Sequence, residues 1–115
     1  MSNTVYTGRH MGDLSHPTRD ELDLTAVMHA LSDPARRQVV RTLAAEGERA
    51  CGTFPLGVTK ATASHHFKVL RAAGITLTRV DGAHRFLTLR RDDLDARFPG
   101  LLDAVLAAEP AGAIA

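Results

Sequence analysis

The residues best suited to recognition chemistry lie between Thr59 and Gly74, in the sequence TKATASHHFKVLRAAG. A helical turn of about 100° per residue separates their side chains into two faces. One face is apolar apart from a histidine and carries Ala63, His66, Phe67 and Leu70. The other is small, polar and basic with no acid, and carries Ala61, Ser64, His65 and Lys68, flanked by Lys60 and Arg71. Such a face suits the major groove of DNA, and an ordinary solvated helix face is the alternative interpretation.

The distribution of charge favours the first interpretation. The net charge is only +1. Between Thr59 and Arg91, however, seven basic residues stand against one acid, Asp81, whereas the rest of the chain has seven basic and twelve acidic residues. A positive segment of this kind suits phosphates, and it coincides with the helix described above.

Length and composition limit the class of protein. The chain has 115 residues with 44% apolar content, which predicts one small domain. There is no apolar run of membrane-spanning length and no signal-peptide pattern, so we expect a cytoplasmic protein without a membrane partner. We predict a flexible N-terminal arm over residues 1–17, with His10 and His16 solvated, a single domain over 18–109 and a flexible tail over 110–115.

Hydrophobic periodicity predicts the elements that must position the basic helix. The first helix should run from Thr18 or Asp20 to Leu31, and the second from the cap Asp33-Pro34 to about Glu46. In the second helix Arg36, Arg37 and Arg41 could face solvent, carboxylates of a neighbouring helix or DNA phosphates, and the first two are favoured. A short helix over 51–54 and a tight turn then precede the basic helix. The last helix covers Asp92 to Ala108, with a kink or restart at Pro99-Gly100.

Between the basic helix and the last helix, the apolar period changes to two. Residues 75–80 and 84–89 read as strands around a turn at Asp81-Gly82. If Leu77 pairs with Leu87, the loop contains an odd number of residues, three or five. Arg79 and Arg85 would then meet near the tip. The predicted fold class is therefore mainly α with a small β-hairpin.

The terminal helices carry more apolar surface than a core of this size needs to cover. We therefore expect helices at both chain ends to form a homodimer interface. The predicted interface residues are Leu24, Val27, Met28, Leu31, Phe98, Leu101, Leu102, Val105 and Leu106.

Three segments, LSDPARRQVVRTL, LGVTKATASHHFKVLRAAGI and RVDGAHRFLTL, resemble the ArsR (arsenical-resistance repressor) family over roughly Leu24 to Leu106. The resemblance implies a winged helix-turn-helix and a dimeric repressor that leaves a palindromic double-stranded DNA operator when an effector binds. The recognition helix would contact DNA through Lys60, Thr62, Ser64, His65, Lys68 and Arg71. The wing would contribute Arg79, His84 and Arg85. His66 would stay inside as a packing and hydrogen-bonding residue.

The chain departs from the best-known metal sensors of that family. The helix before the turn offers only Cys51 where a Cys-x-Cys pair would stand, and no histidine follows His84. Adjacent His65 and His66 point about 100° apart and cannot share one metal ion. We therefore expect no metal site and no cofactor. The effector is not identified: the favoured alternatives are an organic effector, an effector at a different site or no effector, and a site between subunits made from N-terminal histidines is a further alternative. A redox-sensitive Cys51 and a buried structural Cys51 are alternatives, and a buried structural cysteine is favoured.

Other classes of function compete with this interpretation. A winged-helix module that binds protein or RNA is the second hypothesis. An enzyme is disfavoured because no nucleophile with a base, glycine-rich phosphate loop or set of three metal ligands appears.

Overall fold

The computed structural model describes residues 14–108. The predicted tail over 110–115 and the larger part of the predicted arm, residues 1–13 with His10, lie outside the described residues. Within the described range there are five α-helices and a small antiparallel sheet. The helices are α1 Leu24–Ala30, α2 Pro34–Glu46, α3 Lys60–Ala72, α4 Arg91–Arg97 and α5 Leu101–Ala108. The strands are β1 Arg49–Ala50, β2 Thr76–Asp81 and β3 His84–Leu89.

Side-chain caps fix where the first two helices begin. Asp33 accepts hydrogen bonds from the amides of Ala35 and Arg36, and Pro34 opens α2, as predicted. The predicted start of α1 at Thr18 or Asp20 is wrong. Residues Arg19–Glu21 form a separate 3-10 turn, and Asp23 caps α1 by accepting from the amide of Ala26 at 3.0 Å. Asp20 and Glu21 therefore belong to the 3-10 turn, and Asp23 belongs to the start of α1.

Residues 14–17 lie against the domain, although they belong to the range for which the sequence predicts an arm. The amide of Thr78 donates to Nε2 of His16 at 2.9 Å. The carbonyl of Pro17 accepts from Arg90 at 2.7 Å. His16 is therefore a partner of strand β2 and not a solvated histidine.

The sheet has three strands in the order β1-β3-β2. Strand β1, which has two residues, was not predicted because so short a segment shows no periodicity. It pairs with β3 through Arg49 opposite Leu87 and Ala50 opposite Phe86. The short helix predicted over 51–54 is a 3-10 turn, Cys51–Thr53, that follows β1 directly.

The predicted hairpin register is wrong by one residue. Thr78 pairs with Leu87 and Asp81 with His84, so the loop has two residues, Gly82 and Ala83. Paired residues share a face and successive residues alternate. Arg79 therefore lies beside Phe86 on the outer face of the sheet, whereas Arg85 lies on the inner face. The two arginines do not meet at the tip.

The reason for the error is the composition of the inner face. Thr76 and Thr78 are buried there beside Leu87, whereas we expected Ile75 and Leu77 to pair with leucines of the second strand. Threonine is β-branched and packs well on a pleated sheet despite its hydroxyl group. The alternation of polar and apolar residues therefore did not reveal which face is buried. Leu77 is half-buried on the opposite face.

The two terminal helical regions use their apolar residues in two ways. A break at Pro99-Gly100, with Gly100 at a φ of 83°, separates α4 from α5 as predicted. Among the predicted interface residues, Val27, Leu31 and Leu102 are buried inside the protomer and belong to its core. Leu24 and Met28 are 46% and 55% exposed. The remaining four, Phe98, Leu101, Val105 and Leu106, are half-buried.

Candidate nucleic-acid interface

Helix α3 is held at both ends by the residues that the sequence indicates. Thr59 accepts a hydrogen bond from the amide of Thr62 at 3.1 Å and caps the N-terminus. Gly74 follows the C-terminus with a φ of 82°, and a Cβ at this position would collide with Leu22. The glycine therefore permits both the left-handed conformation and the close approach of the N-terminal segment.

The two faces of α3 lie as predicted. His66, Phe67 and Leu70 are buried against the core. The outward side, called here the α3 outer face, consists of exposed residues only: Lys60, Thr62, Ser64, His65 and Lys68. Between Lys60 and Ala72 the helix contains no acidic residue. This surface offers hydroxyl, imidazole and ammonium groups without an anion that would repel phosphate.

A buried arginine fixes the angle at which α3 is held. Arg36 donates from Nε to the carbonyl of Ala30 at 2.7 Å, and its Nη1 lies 3.2 Å from Nδ1 of His66. Because a guanidinium group only donates, Nδ1 of His66 is the acceptor in this contact. Our prediction for Arg36 is therefore wrong, because the side chain is 7% exposed and links α1, α2 and α3. The structure confirms His66 as a packing and hydrogen-bonding residue.

The seven basic residues of the positive segment fall into two groups. Arg79 contacts Glu48, Arg90 contacts Asp93, and Arg91 contacts Asp95 and Asp103. Within residues 14–108, the other four have no carboxylate within ion-pair distance: Lys60, Lys68, Arg71 and Arg85. We call these four residues the unpaired cations. Local ion pairs thus concentrate the positive charge on α3 and on the inner face of the hairpin.

Arg79 is occupied on the outer face of the hairpin. Its guanidinium donates to both carboxylate oxygens of Glu48, at 3.0 and 3.2 Å, and lies 4.6 Å from the centre of the Phe86 ring. These hydrogen bonds hold the pKa of Glu48 below its usual value. Arg79 and Arg85 do not converge because the hairpin register places them on opposite faces, and Arg79 pairs with an acid that lies 31 residues earlier in the chain.

Arg71 and Arg85 instead face a cavity of about 390 Å³ between α3, the Cys51–Thr53 turn and the inner face of the hairpin. Burial and the neighbouring charge of Arg85 lower the pKa of Arg71. Burial raises the pKa of the Cys51 thiol, although both arginines oppose that effect. A thiol with a raised pKa is a poor nucleophile at neutral pH, which favours a structural role for Cys51. Arg71 is therefore only partly available on the α3 outer face.

The described part of the chain lacks two features that other functions would need. No cluster of three or more metal-ligating side chains occurs among residues 14–108. No helix in that range has both the length and the apolar character that crossing a membrane requires.

Comparison with known proteins identifies the class of this arrangement. Residues 31–80, from the end of α1 to strand β2, match the family model of a helix-turn-helix domain. The chain is 40% identical over 82 residues to the uncharacterized HTH-type transcriptional regulator YceK of Bacillus subtilis. That alignment covers 69% of this chain and 82% of the relative.

Solved structures give the same answer for the fold. The transcriptional repressor BigR of Xylella fastidiosa is 30% identical, with a TM-score of 0.59 over 76% of this chain and 87% of that chain. The homodimeric winged helix-turn-helix domain Mb0332 of Mycobacterium bovis, a possible ArsR-family regulator, is 29% identical, with a TM-score of 0.60 over 76% and 81% of the two chains. The hairpin β2–β3 is accordingly the wing, and the protein belongs to the ArsR family of winged helix-turn-helix transcriptional regulators.

Proposed function

We propose that this protein is a dimeric repressor that binds a palindromic DNA operator through the α3 outer face and the wing. The observation that carries the proposal is the concentration of the unpaired cations beside an acid-free, exposed helix face. In a helix-turn-helix the second helix enters the major groove. Here that helix is α3, and α2 supports it through Arg36.

Base reading and backbone binding belong to different side chains. Ser64 and His65 lie in the middle of the outer face and have short polar groups that can bond to base edges. Lys60, Thr62 and Lys68 neutralise or bond to phosphates around them. From the wing, Arg85 and His84 contact the adjacent backbone. Arg79 contributes less, because DNA must compete with Glu48 for its guanidinium group.

A second copy of the chain supports palindromic recognition. Leu24 and Met28 of α1 form an apolar surface that is exposed to solvent in the single protomer. The similar Mb0332 domain is described as homodimeric, which favours this surface as part of the interface. A twofold dimer places two α3 helices on successive major grooves and reads two half-sites.

In the proposed function, an effector binds the repressor and causes it to dissociate from the operator. The relatives named above are transcriptional regulators, and the protein is not an enzyme. An effector that binds the free protein better than the DNA complex lowers operator affinity by the ratio of its two affinities.

The proposal is tested by selecting duplexes from a random pool and titrating the protein with the selected duplex, a shuffled duplex and a single-stranded RNA of equal length. We expect the selected duplex to bind at least about 1000-fold more tightly than the shuffled one. Four unpaired cations per protomer limit the slope of log K against log salt to about −7 for the dimer. Equal affinity for the two duplexes would refute operator recognition, and preference for RNA would support an interaction module instead.

A further inference from the structure

The cavity beside α3 combines an apolar wall with a polar one. Phe54, Val58 and Phe67 make up the apolar wall, and the Phe54 and Phe67 rings are tilted with their centres 5.5 Å apart. The polar wall is made up of Arg71, Thr78 and Arg85. Its volume of about 390 Å³ lies in the range of small-molecule sites.

The side chains of the polar wall have neither ion-pair nor hydroxyl hydrogen-bond partners among the described residues. Neither Arg71 nor Arg85 has a carboxylate within ion-pair distance among residues 14–108. Thr78 is 5% exposed, and its hydroxyl has no hydrogen-bond partner in the same range. Two cations near each other and an unsatisfied buried hydroxyl raise the free energy of the empty site. An anion in the cavity would relieve the repulsion between the two arginines directly, and it would accept a hydrogen bond from the buried Thr78 hydroxyl once that side chain rotates toward the cavity.

The apolar wall specifies what kind of anion fits. A DNA phosphate needs cations and amides but gains nothing from two phenylalanine rings and a valine. An acid group joined to a ring-sized apolar body would contact both walls at once.

We propose that this cavity binds a small organic acid, with its carboxylate or sulfonate at Arg71, Arg85 and Thr78 and its apolar body against Phe54 and Phe67. The inference deepens the proposed function. Binding of the acid is independent of that function, whereas the effect of the acid on operator binding rests on it. Lys60 and Ser64 also line the cavity. The acid therefore occupies cations that the operator needs, and it acts as an effector that competes with DNA.

The test uses two fluorescent probes that differ by one group. The probe 8-anilinonaphthalene-1-sulfonate carries an acid, and N-phenyl-1-naphthylamine has the same rings without it. We expect the sulfonate to bind one per chain and at least about tenfold more tightly than the neutral amine. Equal affinities would show that only the apolar wall binds and would overturn the proposal. Competition by inorganic phosphate as strong as that by the sulfonate would make the site a DNA-phosphate subsite and would also overturn it.

Cys51 reports whether the probe occupies this cavity. It lines the cavity and is the only cysteine in the sequence, so alkylation by iodoacetamide reads one position. With the sulfonate at ten times its Kd, the alkylation rate should fall about tenfold, because only the unoccupied fraction reacts. Unchanged alkylation would place the probe elsewhere and refute the site.

A matched pair of variants separates the cavity from the DNA interface. Thr78→Val keeps the shape of a buried side chain that is not part of the proposed interface, and should weaken the sulfonate about tenfold while DNA affinity stays unchanged. Arg85→Ala should weaken both ligands. Undiminished sulfonate binding in both variants would contradict the proposal. Sulfonate binding that is intact in a protein without operator specificity would refute the proposed function alone.

Discussion

His65 and His66 are consecutive in the chain but have different environments. The ring of His65 is exposed on the α3 outer face, whereas His66 is 7% exposed and contacts Arg36. Helical geometry separates them by about 100°, so the sequence alone could assign one to recognition and one to packing. The sequence could not identify Arg36 as the partner of His66. Helix α2 contains three arginines, and nothing in their spacing shows which of them is buried.

This difference predicts opposite consequences for two neighbouring substitutions. His66→Ala removes the acceptor for Arg36 and should lower the free energy of unfolding by about 1 to 3 kcal/mol. His65→Ala should change it by less than about 0.5 kcal/mol. Urea denaturation of both variants measures the two values. Equal stabilities would contradict the assigned faces.

A second pair of residues tests which cations reach DNA. Lys68→Ala and Arg85→Ala should each reduce the salt slope of DNA binding by about two units, because each removes one phosphate contact from each protomer of the dimer. Arg79→Ala is the control, since its guanidinium already contacts Glu48, and its slope should change less. Titrations at four salt concentrations measure all three. An Arg79 effect larger than that of Arg85 would show that the outer face of the wing meets the backbone.

At the scale of the elements, helix positions could be predicted where caps and apolar periods agree. Thr59, Gly74 and the Asp33-Pro34 pair each carry a local signal, and the structure confirms all three. The wing could be recognised as a hairpin, but its register could not. Two buried threonines replaced the expected apolar residues, and the glutamate that pairs with Arg79 is distant in sequence. Local patterns do not encode such long-range choices.

The cap of α2 has a defined pH dependence. Burial raises the pKa of Asp33, but hydrogen bonds from the amides of Arg36 and Ala35 together with the charge of the Arg36 side chain outweigh it, so the net pKa is lowered. Asp33→Ala should cost about 1 kcal/mol at pH 7. The stabilising charge is fully present above the unfolded value of about 3.9 and is lost as pH falls through the lower folded-state pKa.

Asp33→Asn provides the control for this cap, since the amide oxygen still accepts hydrogen bonds but carries no charge. Unfolding free energies of the wild type and Asp33→Asn should differ at pH 7 and converge as the pH falls below the folded-state pKa of Asp33. A difference that grows as the pH falls would contradict the sign of the shift.

For the whole molecule, the exposed apolar surface of α1 predicts assembly. Met28→Glu places a charge on a side chain that is 55% exposed in the protomer. We expect this variant to remain folded but to run as a monomer in size-exclusion light scattering, with weakened operator binding. Leu102→Glu is unsuitable for this purpose, because Leu102 is 3% exposed and the charge would unfold the core.

Ala44→Glu, on an exposed position of α2, is the matched control. It adds the same charge away from the terminal helices and should leave the dimer intact. A monomeric wild type, or a dimer that survives Met28→Glu, would exclude this surface as the interface.

The central claim is that the α3 outer face reads DNA sequence, and His65 lies at its centre. The most direct measurement compares the base preferences of the wild type and His65→Ala, each selected from the same random duplex pool. We predict that His65→Ala loses preference at one base pair of each half-site, by about 1 to 3 kcal/mol, while the other positions keep theirs. Identical preferences at every position for the two proteins would contradict the claim.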